Sequence, residues 1–158
     1  MGNHSYNSLK FSYTDIILDN IADGVFTVDE KMRITYFNKA AEKITGFAKE
    51  EAIGEFCFDI LKANICEKNC PLRCSVASET EVIDRHVNIL RTDGKQIPVS
   101  ISTAVLRDEN GNKIGGVETF RDLTPVEELK KEINCRYTFE DIISKNHQIL
   151  TEPFACFR

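Results

Sequence analysis

Two dipeptides, Asp93-Gly94 and Asn110-Gly111, constrain the fold of this 158-residue chain more than any other feature. Both are tight-turn sequences, because Gly, Asn and Asp tolerate the positive φ that reversing a twisted strand demands. They join three runs rich in β-branched and aromatic residues, at 82–91, 96–106 and 114–122, into a three-strand antiparallel meander. Upstream, Val25-Phe26-Thr27-Val28 and Ile34-Thr35-Tyr36-Phe37 form two more β-rich runs around the turn-forming DEKMR. Short helical stretches separate the two groups. Asn38 is placed to cap a helix over KAAEKIT, and Gly46 to end it in the left-handed conformation. KEEAI adds a second helical turn that stops at Gly54. Two strands, several short helices and a meander specify an α+β domain with a single sheet.

The flanks read differently. Residues 1–12 are an N-terminal extension, and 13–22 carry Ile17, Leu18 and Ile21 at helical spacing, predicting a short amphipathic helix. The domain proper spans 13–123 and an output helix 124–136. Thr124 with Glu127 makes a capping box, and Pro125 takes the first helical position, where a missing N–H costs nothing. Val126, Leu129 and Ile133 then fall at i, i+3 and i+7, the start of a heptad seam. That seam either meets a second chain or folds back on its own sheet. Residues 137–158, with one apolar patch FEDII, read as linker or tail.

The net charge of −5 argues against direct nucleic-acid binding, which needs a basic face against phosphate. No apolar run approaches the roughly 18 residues of a membrane span. MGNHSYNSLK has no apolar core for a secretory signal and lacks the Ser or Thr that myristoylation wants. A cytoplasmic protein is expected, with its thiols reduced.

There the stretch FCFDILKANICEKNCPLRC becomes informative, since it holds four of the six cysteines, at 57, 66, 70 and 74. Clustered cysteines in a reducing compartment read as metal-binding or redox-active. Pro71 cannot sit inside a helix, so a helix is expected to start there with Cys70 as its cap and Cys74 one turn in. Cys66 then lies in the preceding loop and Cys57 at the start of the helix before it. Unpaired N–H groups at the helix start, with Lys68 and Arg73, are expected to lower the thiol pKa values. Four thiolates suit an iron–sulfur cluster or tetrahedral zinc. The gaps of eight, three and three residues match neither ferredoxin spacing nor paired zinc knuckles, so the metal stays open. A Cys66–Cys70 redox pair and plain apolar filling are the alternatives. Cys135 and Cys156 lie outside the domain.

ILDNIADGVFTVDEKMRITYFNKAAEKITGFAKEEAIGE and GKQIPVSISTAVLRDENGNKIGGVETFRDLT together resemble a PAS sensor domain over about residues 13–125. The resemblance implies a five-stranded antiparallel sheet with short helices packed on one face, plus a C-terminal signalling helix. CEKNCPLRCSVAS and RYTFEDIISKN resemble the insert and linker of PAS input domains in sigma-54-dependent transcription activators. The chain carries no Gly-x-x-x-x-Gly-Lys-Ser/Thr loop, so ATP hydrolysis does not carry over. The likeness implies a sensory input module regulating transcription, a homodimer feeding an ATPase or DNA-binding effector.

Other readings have less support. Haem wants an axial ligand, and His86 alternates with Asp84 and Asn88 while Ile83, Val87 and Ile89 take the opposite face, so it points to solvent. The flavin segment of PAS photosensors is not matched around Asn69-Cys70-Pro71-Leu72. A small organic ligand could sit in an apolar pocket of Phe26, Ile44, Phe58 and Leu61, residues that otherwise read as core, with the domain serving ligand binding or dimerisation alone. No catalytic constellation is present, and no enzyme is expected.

Overall fold

A computed structural model describes residues 13–136. The elements run α1 (13–19), β1 (Gly24–Val28), β2 (Ile34–Phe37), α2 (Lys39–Thr45), α3 (Lys49–Ala52), α4 (Cys57–Leu61), α5 (Pro71–Ser78), β3 (Val82–Leu90), β4 (Gln96–Arg107), β5 (Lys113–Asp122) and α6 (124–136). The five strands form one antiparallel sheet in the order β2-β1-β5-β4-β3. The meander closes on the first hairpin by placing β5 beside β1. Gly94 and Gly111 take φ of 82° and 84°, as the two turn signals require.

Strand register decides which side chains face the helices. Gly24 pairs with Phe120 and Phe26 with Glu118 across β1 and β5, while Ile101 and Thr103 oppose Phe120 and Glu118 across β4 and β5. These residues share the inner face, where Phe26, Phe37, Phe120, Ile34, Leu72, Ile89 and Val99 are all but fully buried. Each such side chain contributes about 1.5–3 kcal/mol relative to exposure. Gly116 lets α5 lie close to the sheet, since a Cβ there would meet Leu72 and Val76 at 2.8 Å. Over the same helix, the Ser75 hydroxyl shares a 2.6 Å hydrogen bond with that of Thr103.

Asn38 does more than cap α2. Its Oδ1 accepts from Ala41 N and from Val25 N, both at 2.9 Å, and its Nδ2 donates to Leu18 O and Asp23 O at 2.8 and 3.1 Å. One fully buried amide thus joins α1, β1 and α2.

Two local expectations fail. The first helix ends at residue 19 rather than 22, and its apolar stripe is not buried, with Ile17 62% and Ile21 40% exposed. Ile83 does not share the inner face with Val87 and Ile89 and is 76% exposed. The pairing of β3 with β4 shifts between Val82 and Arg85, and Asp84 adopts φ of 53°. That bulge inserts a residue and reverses the alternation at Ile83.

The compact unit ends at Leu123 and a second begins at Thr124. The α6 helix is helical from Thr124 itself, and it leaves Val126, Leu129 and Ile133 47%, 58% and 50% exposed. Residues 1–12 and 137–158, with FEDII, His4, His147 and Cys156, lie outside the described residues.

Candidate functional site

The chain between α4 and α5 behaves as the proline predicts. The α5 helix starts at Pro71 with Cys70 at its cap position, and the Cys74 amide donates to Cys70 O at 3.0 Å. Cys57 opens α4 and is buried, while Cys66 sits half-buried in a connection made only of turns. Three segments carry Cys57, Cys66 and Cys70 within electrostatic reach: Cys57 feels the charges of Cys70, Glu118 and Cys66, and Cys66 those of Cys70 and Glu118. Cys74, by contrast, is exposed. Its neighbour Ser75 points at the sheet, and one residue of helix turns Cys74 about 100° away. Cys135 is exposed on α6.

The electrostatics run opposite to the expectation of lowered thiol pKa values. Burial pushes Cys57 up to about 12, helped by the neighbouring Cys70, Glu118 and Cys66. Burial likewise pushes Cys66 up to about 11, and Arg73 opposes it only weakly. Desolvation of a thiolate outweighs a helix start whose Cys70 makes no side-chain capping bond. These thiols are held protonated until something replaces the proton.

One member of the site escaped sequence reasoning. Glu118, on the inner face of β5, is 6% exposed, and its charge reaches both Cys57 and Cys66. Burial alone raises its carboxyl to about 8. The signal was present in GGVETF, where Gly116, Glu118 and Phe120 share parity. Among the described residues, no three Cys, His, Asp or Glu side chains stand in an arrangement that could hold a metal ion as they are.

Against Cys66 lies a cavity of about 700 Å³ walled also by Phe58, Lys62, Asn64 and Arg73 among others. Of the four proposed pocket residues only Phe58 borders it. Phe58 is 39% exposed and stacks on Phe56 at 5.1 Å, whereas Phe26, Ile44 and Leu61 are packed core. Phe58 misses the core because α4 is a five-residue helix whose inward side is already taken by Cys57, Ile60 and Leu61. His86 is exposed, 3.6 Å from the Asp84 carboxylate, as its alternation predicted. No helix among the described residues is long and apolar enough to cross a membrane.

Known proteins share the fold. The sequence model of the PAS domain family matches residues 22–125. The chain is 29% identical over 119 residues to the signal transduction histidine-protein kinase AtoS of Escherichia coli, covering 75% of this chain and 19% of that protein. It is 29% identical over 122 residues to the probable diguanylate cyclase DgcE of Escherichia coli, covering 75% and 11%. It is 30% identical over 141 residues to a signal-transduction and transcriptional-control protein of Clostridium beijerinckii, covering 86% and 21%. The chain thus spans about a fifth or less of these relatives. Among solved structures, a PAS domain from Colwellia psychrerythraea superposes with a TM-score of 0.61 at 20% identity, covering 73% of this chain and 98% of that one. Strand order, helix placement and the family match lead to one assignment: the chain belongs to the PAS domain family, sensory input modules of signalling proteins.

Proposed function

We propose that this PAS domain senses redox state, oxygen or metal through the thiols of Cys57, Cys66 and Cys70, and passes the signal through α6 to a transcription-controlling effector in the cytoplasm. The observation that supports the reading is that Cys57 of α4, Cys66 of the connection and Cys70 at the α5 cap lie within electrostatic reach of one another. A metal that replaces the thiol protons, or an oxidant that takes two electrons as two thiols lose their protons and join as a disulfide, changes charge and bonding beside α5. That helix packs on β4 and β5, and β5 ends at Asp122, two residues before α6. A shift of α5 therefore has a short covalent route to the output helix. The exposed Val126, Leu129 and Ile133 fit a parallel helix from a second chain, so a homodimer is the signalling unit. The likeness to the Clostridium beijerinckii protein supports a transcriptional output, and the resemblance of CEKNCPLRCSVAS and RYTFEDIISKN to activator segments favours a sigma-54-type ATPase as the effector class.

The test is to purify the full chain without oxygen, measure iron, sulfide, zinc and free thiols, and repeat after oxidant. Cys66→Ser and Cys70→Ser should lose the metal or the oxidant response, and Cys74→Ser should keep it. A sample with no metal, no oxidant-sensitive thiol and no change in dimer state removes the cysteine-centred reading and leaves the PAS assignment standing.

A further inference from the structure

Phe58 presents an aromatic ring where a folded chain normally hides one, and neighbouring groups hold the ring in place. An isolated bridge pairs Arg33 with Phe56. The Arg33 guanidinium, which donates to Gly54 O at 2.8 Å, lies over the Phe56 ring at 4.2 Å from its centre. Phe56 in turn stacks on Phe58 with the two planes 13° from parallel. Phe58 ends this ladder and borders the cavity of about 700 Å³. An aromatic face is thus prepared at the wall of an open site.

The same cavity is lined by two charges of each sign, Lys62 and Arg73 against Asp59 and Glu67. None of the four makes a side-chain hydrogen bond or an ion pair with another described residue. Opposite charges this close ordinarily pair, as Asp59 and Lys62 would at i and i+3 on a continuing helix. Here Lys62 ends α4 in the left-handed conformation, at φ of 46°, and the helical geometry of that pair is lost. A non-glycine residue held at positive φ is local strain of the kind that collects at ligand sites.

We propose that this cavity binds a free aromatic α-amino acid, an input to the domain separate from its thiols. The ligand ring stacks on the free face of Phe58 and continues the ladder. Its ammonium meets Asp59 and Glu67, and its carboxylate meets Arg73, whose planar guanidinium suits a two-oxygen anion, with Lys62 beside it. Free charges of both signs select a zwitterion. An aryl acid would set its charge against the two carboxylates with nothing to offer them, and an aryl amine would do the same to the two cations. The volume lies within the range of about 300–1,000 Å³ usual for small-molecule sites. An amino acid held there joins α4, through Phe58 and Asp59, to the first turn of α5, through Arg73, and covers Cys66 in the wall.

The chain contains no tryptophan, so the fluorescence of added L-tryptophan reports on the ligand alone. Titration of the full chain, reduced and chelator-treated, should show saturable binding of one L-tryptophan per chain. In competition, tryptamine, which lacks the carboxylate, and indole-3-propionate, which lacks the ammonium, should each bind at least about tenfold more weakly. Arg73→Gln should weaken tryptophan by a similar factor and Phe58→Leu by about threefold or more, both at exposed positions, while Lys68→Gln outside the cavity should bind as the parent does. On the unaltered chain, saturating tryptophan should slow alkylation of Cys66 and leave the rate at exposed Cys74 unchanged, which locates the ligand without any substitution. No saturation at millimolar tryptophan, equal affinity for either analogue, unchanged affinity in both Arg73→Gln and Phe58→Leu, or an unprotected Cys66 would overturn the site. A chain that binds tryptophan yet holds no metal and resists oxidant keeps this site and loses the thiol-centred function, so the two fail separately.

Discussion

Replacing Glu118 by Gln should change how the stability of the metal-free domain depends on pH. The carboxyl titrates at 4.5 in an unfolded chain and at about 8 when buried under α5. A raised carboxyl pKa means the folded state holds an extra proton between those values. Its contribution is fully present below pH 4.5, is lost as pH rises toward 8, and is level above. At about 1.36 kcal/mol per pH unit, the loss reaches about 3 kcal/mol by pH 7 and about 5 kcal/mol at most. Gln carries no charge and should show none of this decline. The two proteins should be nearly equally stable near pH 4.5, with Glu118→Gln ahead by about 3 kcal/mol at pH 7. Urea unfolding of chelator-treated protein at half-unit steps from pH 5 to 8.5 measures the difference directly. Other carboxylates cancel in that difference, and Cys57 and Cys66 titrate well above the window, at about 12 and 11. Parallel curves for the two proteins would refute the argument, because they would mean that Glu118 is solvated or partnered in the fold.

Other expectations follow from single residues. Asn38→Ala strands two amides and two carbonyls and should cost about 3 kcal/mol, read as a lower urea midpoint with an unchanged m-value. An aromatic disulfide reagent at pH 8 should label Cys74 and Cys135 quickly, and Cys57 only at the rate of opening, because its thiol is buried and held protonated. Mass spectrometry of the labelled peptides checks the order. Leu129→Asp or Ile133→Asp should convert a dimer to a monomer in sedimentation without lowering the stability of the domain, since both side chains are half exposed within one chain. An unfolded variant would contradict that.

The parts of this protein legible in sequence are those governed by neighbours a few residues away. Pro71 dictates the start of α5 whatever surrounds it, Asn38 caps its own helix, and Gly94 and Gly111 turn their own hairpins. Local sterics and backbone hydrogen bonding settle these, so element order and the placement of three cysteines could be reasoned from the chain. The misreadings are long-range. Ile83 was assigned inward because alternation is a local rule, and a bulge in its pairing with β4 reversed it. Phe58 looked like core, but the neighbouring residues of α4 had already filled the inner side.

The sequence by itself determined the α+β order of elements, the helix boundary at Cys70-Pro71 and the concentration of sulfur near it. Only the tertiary structure decided which groups meet there. Cys74 turned outward, the thiols were driven toward their protonated forms, and Glu118 of β5 came within electrostatic reach of cysteines more than forty residues before it. The physical reason is that desolvation and register depend on what packs from across the sheet, and no spacing along a chain records that.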